Sequence, residues 1–150
     1  MTAIPGATRT NLSLVSPLSD YGISSPVDAP QEIGTSNYEN SVRFTCASDQ
    51  ASPNDIVYEV AGYKFLTATI GVPSNATNAA GNSMTITFFK DGSTSQLGKT
   101  MTTSLDHQLN IHLNLMGSSQ LEIECSAITT ATQNVTSMDV VLGNATIGPS

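Results

Sequence analysis

Glu122 and Glu124 stand two residues apart in a run of strict alternation, which puts them on one face about 7 Å apart at the rise of a strand. Paired carboxylates at such a distance are what a glycoside hydrolase uses to cleave its bond. The commoner meaning of two Glu on one strand is a wet face, and no other catalytic pattern accompanies them. The chain has no Gly-x-Ser-x-Gly elbow and no cysteine in a reactive setting. His112 points out of a strand among Gln and Asn, and His107 sits at a strand entrance beside Asp106. Without a third ligand at metal spacing the two do not make a zinc site. Asp49, Asn54 and Asp55 could give oxygens to a structural Ca²⁺, but they lack loop-like ligand spacing. No catalytic residue, no metal and no cofactor is expected.

The elements that must position these groups are strands. From His107 to Ala127, Leu109, Ile111, Leu113 and Leu115 alternate with Gln108, Asn110, His112 and Asn114. After Met116-Gly117-Ser118-Ser119 the alternation resumes, with Leu121, Ile123, Cys125 and Ala127 on one face. A period of two means one buried and one wet face, and the Gly-containing turn predicts an antiparallel hairpin. Val42, Phe44 and Cys46 share a face, as do Ile56, Tyr58 and Val60, then Leu66, Ala68, Ile70 and Val72, then Met84, Ile86 and Phe88. Apolar residues on both sides of Tyr63 to Val72 predict a central strand. Asp91-Gly92 predicts a hairpin turn, because both positions tolerate positive φ. Met138 to Ile147 is the closing strand, interrupted by Gly143. Leu12 and Leu14 predict a short strand over Asn11 to Val15, and Ser16 to Gln31 reads as a Pro- and Ser-punctuated crossing. Residues 1–10 read as an extended arm and 11–150 as one domain.

Composition agrees. Of 150 residues 19 are Ser and 19 are Thr, residue types that compete with the helical backbone for hydrogen bonds. No stretch carries a capped 3.6-period stripe, so the fold class is all-β, a two-sheet antiparallel sandwich. A net charge of -7 with five Lys and Arg argues against nucleic acid and against an anionic membrane surface. No segment approaches the 18 or so apolar residues of a membrane span, and Met1 to Thr10 lacks a secretory signal pattern. Cys46 and Cys125 both fall at inward positions, either bridged or as two small buried thiols. The four Asn-x-Ser/Thr triplets, at Asn11, Asn75, Asn134 and Asn144, number about what 11 Asn would give by chance.

The order of these pieces resembles the NPCBM family, akin to carbohydrate-binding module family 51, with a galactose-binding-like jelly roll. The resemblance is carried by Ile33-Gly34, Tyr38-Glu39-Asn40-Ser41-Val42, Ile56-Val57-Tyr58, the segment Tyr63 to Val72, the Phe88-Phe89-Lys90-Asp91-Gly92 corner, the runs around Gly117 and Leu121, and Asp139 through Gly143-Asn144-Ala145. It spans residues 11–147. Family members usually carry a Trp in the closing strand, where this chain has Val140-Val141. The resemblance implies a non-catalytic module that recognises or attaches to glycans. The missing Trp motivates an alternative: a decoration or attachment protein of a phage, virus particle or other large assembly in which the sugar site is lost. Expected partners are accordingly a glycan or assembly proteins, with self-association open, and the expected setting is extracellular or the surface of a virion.

A sugar site needs an exposed aromatic plate and nearby Asn, Asp, Gln or Arg groups for the hydroxyls. Alternation sends most of the four Tyr and four Phe inward, and leaves Tyr21 and Tyr38 for the surface. Asn37, Asn40, Asp139 and Asn144 lie near the strand ends that would frame such a site. Ordinary turn chemistry uses the same residue types.

Overall fold

The computed structural model describes residues 8–19, 27–47, 54–76, 83–91, 95–105, 107–128 and 137–149. Ten strands run through them: β1 (Thr10–Asn11), β2 (Val27–Ile33), β3 (Ser36–Ala47), β4 (Asn54–Glu59), β5 (Phe65–Gly71), β6 (Ser83–Lys90), β7 (Ser95–Ser104), β8 (Leu109–Asn114), β9 (Gln120–Ile128) and β10 (Ser137–Gly148). They form two antiparallel sheets. One has the order β2-β3-β10-β5-β8, with β1 also paired to β10, and the other the order β4-β9-β6-β7. The inward rows read from the alternation meet between them, and Val42, Phe44, Ile56, Tyr58, Leu66, Ile70, Met84, Ile86, Phe88, Leu121 and Ile123 are all buried in one core. β5 is interior, between β10 and β8, as its two-sided apolar start predicts. β6 and β7 pair from Lys90↔Ser95, the hairpin that Asp91-Gly92 announces.

The expected hairpin over 107–127 does not form. β8 pairs with β5 in one sheet, while β9 pairs with β4 and β6 in the other. The segment between them is an arch that crosses the sandwich. Met116 and Gly117 both have left-handed φ, 53° and 76°; Asn114 Oδ1 accepts from the Met116 N–H at 2.8 Å; Leu115 dips into the core, and Ser118 Oγ donates to its carbonyl. Two rows facing each other across a core alternate just as two strands of a hairpin do, so periodicity alone cannot separate them.

Two further expectations change. Leu12–Leu14 is a 3₁₀ turn, not a strand, with Leu12 buried and Leu14 exposed. The crossing from Ser16 to Gln31 contains part of β2, whose last residues fold with the start of β3 across the outside of the larger sheet. Ser74 fastens that tip: its N–H donates to the Glu32 carbonyl at 2.9 Å and its hydroxyl to the Gly34 carbonyl at 2.8 Å. Cys46 and Cys125 are joined, with Cα atoms 5.8 Å apart and a sequence separation of 79; the bridge ties β3 to β9 and so one sheet to the other.

Candidate functional site

The outer face of the larger sheet carries the residues of the expected glycan site. Val140 and Leu142 point into the core, so Asp139, Val141 and Gly143 of β10 face outward. Gly143 leaves a gap that Tyr38 fills: a Cβ there would lie 2.8 Å from Tyr38 Cγ and 2.9 Å from Cδ1. The Tyr38 ring is thus laid over the backbone of β10, half-buried. Gly71, registered against Val141 on the neighbouring strand, does the same for Ile33, whose Cγ2 would lie 2.6 Å from an added Cβ. Ile33 and Val141 are both fully buried on this outer side, and hydrophobic burial there holds the β2–β3 tip against the sheet.

Around Tyr38 the backbone is fixed by one buried hydroxyl. Ser41 is fully buried; its Oγ donates to the Tyr38 carbonyl at 2.9 Å and accepts from the Asn144 N–H at 3.4 Å. Asn144 has φ 47°, a conformation Asn tolerates better than most residues, and it marks the register shift in the β10–β5 ladder. Its Oδ1 accepts from the Asn40 N–H at 3.1 Å. Asn37 Nδ2 donates to Glu39 Oε1 at 3.0 Å. Asn37, Asn40 and Asn144 are exposed; Asn40 and Asn144 are joined and tied through Ser41 to Tyr38, whereas Asn37 is engaged with Glu39.

Asp139 stands apart, four residues along β10, about 13 Å at the rise of a strand. It is engaged with Arg43: Nε donates to Oδ2 at 2.7 Å, Nη2 lies 2.6 Å from the same oxygen, and Thr45 Oγ1 donates to Oδ1. Arg43 Nη1 also donates to Gln31 Oε1 at 3.1 Å and to Asn75 Oδ1 at 2.7 Å. One planar guanidinium therefore clamps β2, β3, β10 and the loop after β5. Sequence reading missed Ser41, Arg43, Gln31 and Asn75, because their partners are up to 103 residues away and leave no local pattern. Tyr21 and Asp49 lie outside the described residues.

The histidines remain polar surface groups. His107 Nδ1 meets Ser104 Oγ at 3.0 Å. His112 is exposed, stacks on Phe65 at 4.3 Å between ring centroids, and shares a hydrogen bond with Thr67 Oγ1 at 2.9 Å. Glu122 departs from expectation. It is only 7% exposed, so the outward row of β9 is not uniformly wet. Val57 on β4 and Phe89 on β6 flank it in register and exclude water. Loss of water, with Asp55 and Glu124 beside it, pushes its carboxyl up to about 8.

No family model matches the chain, and no curated protein matches it. Solved structures do. The CBM51 module of the GH95 protein of Clostridium perfringens, in complex with methyl-galactose, superposes with a TM-score of 0.65 at 18% identity, over 93% of this chain and 99% of that one. CBM51-2 of C. perfringens ZmpB, solved with its INT domains and GlcNAc, gives 0.67 at 11% identity, over 93% and 31%. The tandem CBM51 modules of a family 98 glycoside hydrolase of Streptococcus pneumoniae give 0.66 at 14%, over 93% and 47%. The chain has the CBM51-like, galactose-binding-like fold, and it spans a third to a half of two of these longer chains. Among the described residues no helix is long and apolar enough to cross a membrane.

Proposed function

We propose that this chain is a non-catalytic carbohydrate-binding module that works in an oxidising, extracellular setting and meets a sugar at Tyr38. The observation that carries this reading is an aromatic ring held in place over Gly143, with the exposed Asn40 and Asn144 joined to each other and tied through Ser41 to the Tyr38 backbone, and the exposed Asn37 next to it in sequence. Such a ring offers an apolar face to sugar C–H groups, and the amides offer donors and acceptors to hydroxyls. Tyr38 supplies the aromatic plate in a chain without Trp. Asp139 serves by keeping Arg43 and the β2–β3 tip in place. The Cys46–Cys125 bridge fits an oxidising compartment. The alternative of a particle decoration or attachment protein finds no support in the fold or the comparisons.

Glycan-array screening followed by calorimetry tests the reading, with methyl-galactose and GlcNAc as first probes. The wild type is expected to bind, Tyr38→Ala to lose at least tenfold in affinity, and Asn37→Ala or Asn40→Ala about fivefold, as expected for one hydrogen bond of about 1 kcal/mol. A wild type that binds no sugar, or a Tyr38→Ala variant that binds unchanged, removes the proposal.

A further inference from the structure

The outer face of the larger sheet continues past Tyr38. Gly143, over which the Tyr38 ring lies, is registered against Thr69 of β5, and Thr69 against Asn110 of β8. Thr67 and His112 form the next outward pair, and Phe65 and Asn114 the one after it. Asn110, His112 and Asn114 are exposed, and Phe65, Thr67 and Thr69 are half-buried. The strip they form holds no Asp, Glu, Lys or Arg, in a chain whose net charge is -7.

Two observations separate this strip from an ordinary wet sheet face. Its side chains are held in place. Thr69 Oγ1 donates to Asn110 Oδ1 at 2.7 Å, and Thr67 Oγ1 shares a hydrogen bond with His112 Nδ1 at 2.9 Å. Phe65 lies against the His112 ring, 4.3 Å between centroids and 13° between planes. Each bond uses one polar atom of Asn110 or His112, and leaves the Asn110 amide N–H groups and His112 Nε2 to meet a ligand. Groups already fixed lose little freedom on binding. The strip also ends at a cavity. His112 borders a groove of about 300 Å³ at the open edge between β8 and β7, lined further by Gly98, Met101, Ile111 and Leu113. Hydroxyls, amides and stacked rings without counter-charges suit a neutral polyol and give an ionic partner nothing to pair with. From Gly143 to His112 the path crosses two strand spacings, about 10 Å, and runs two residues, about 7 Å, along the strand. One sugar ring at Tyr38 does not reach that far, whereas a short oligosaccharide does.

We propose that the ligand is a linear, neutral oligosaccharide that starts at Tyr38, crosses Thr69 and Asn110, and ends against the Phe65–His112 stack at the mouth of the groove. The inference rests on the glycan reading of Tyr38 and adds a second subsite to it. Calorimetry on the full chain tests it, with methyl-galactose, GlcNAc and the linear di-, tri- and tetrasaccharides of each sugar as probes. In the series that binds, affinity is expected to rise at least tenfold from the single sugar to the tetrasaccharide. His112→Ala and Asn110→Ala should each cut tetrasaccharide affinity at least fivefold and shrink the gain with length, whereas Tyr38→Ala should weaken every member of the series. His112 and Asn110 are exposed, so both variants keep the fold. A tetrasaccharide bound no more tightly than the single sugar overturns the second subsite and leaves the Tyr38 reading standing. So does a folded His112→Ala that keeps the whole gain with length. A dimer in sedimentation that His112→Ala dissociates also overturns it, by making a second copy the occupant of the strip. A wild type that binds no member of either series removes both readings.

Discussion

A carboxyl group that loses its water must keep its proton or find a cation, and Glu122 has lost most of its water. Its carboxyl titrates at about 8 when folded against 4.5 for the ordinary group. The sign follows from linkage: between those two values the unfolded chain releases a proton that the folded chain retains, so stability falls as pH rises, by at most about 1.4 kcal/mol per pH unit. Urea unfolding at pH 5 and pH 8 should show this loss, and Glu122→Gln, which cannot ionise, should flatten it. A variant as pH-dependent as the parent would put the effect elsewhere. The side on which Glu122 lies was legible in its alternation with Leu121 and Ile123. How deep it lies was not, because depth depends on Val57 and Phe89, which reach it only through strand pairing. Ser41 is similar: a hydroxyl in a Ser-rich chain gives no hint that it links Tyr38 to Asn144.

At the scale of the element, the β2–β3 tip rests on two glycines. Gly143→Ala would place a methyl group within 3 Å of the Tyr38 ring. Neither the ring nor the backbone of β10 can retreat far, so a loss of about 1–3 kcal/mol is expected on thermal or urea unfolding. On the glycan reading, sugar affinity should fall with it although no sugar-facing group has changed. The inward rows of β3, β4, β5 and β6 were readable in sequence because local alternation and burial agree there. The arch between β8 and β9 was not, since Leu115 and Leu121 face one core from opposite sheets. One local feature separates the two cases: a two-sheet crossing puts an apolar residue, Leu115, inside the turn, where a hairpin would place polar ones.

At the scale of the molecule, the two sheets are held by a shared apolar core and one covalent bond. The loop closed by Cys46 and Cys125 spans 79 residues, and on the chain-entropy account opening it costs about 4.5 kcal/mol. The double variant Cys46→Ala with Cys125→Ala should therefore unfold at markedly lower urea concentration than the parent, and a reductant should bring the parent down to the same midpoint. Equal midpoints with and without reductant would show that the core suffices alone. Sequence placed both sulfurs inward and left their pairing open, because whether two inward residues of different sheets meet is set by the stacking of the sheets.

β1 and β10 lie side by side, Thr10 against Ile147, and Arg9 packs beside Gly148. Entry and exit of the described chain thus share one corner. A body whose two ends emerge together can be hung from a host like a pendant, spliced into a surface loop without prising its neighbours apart.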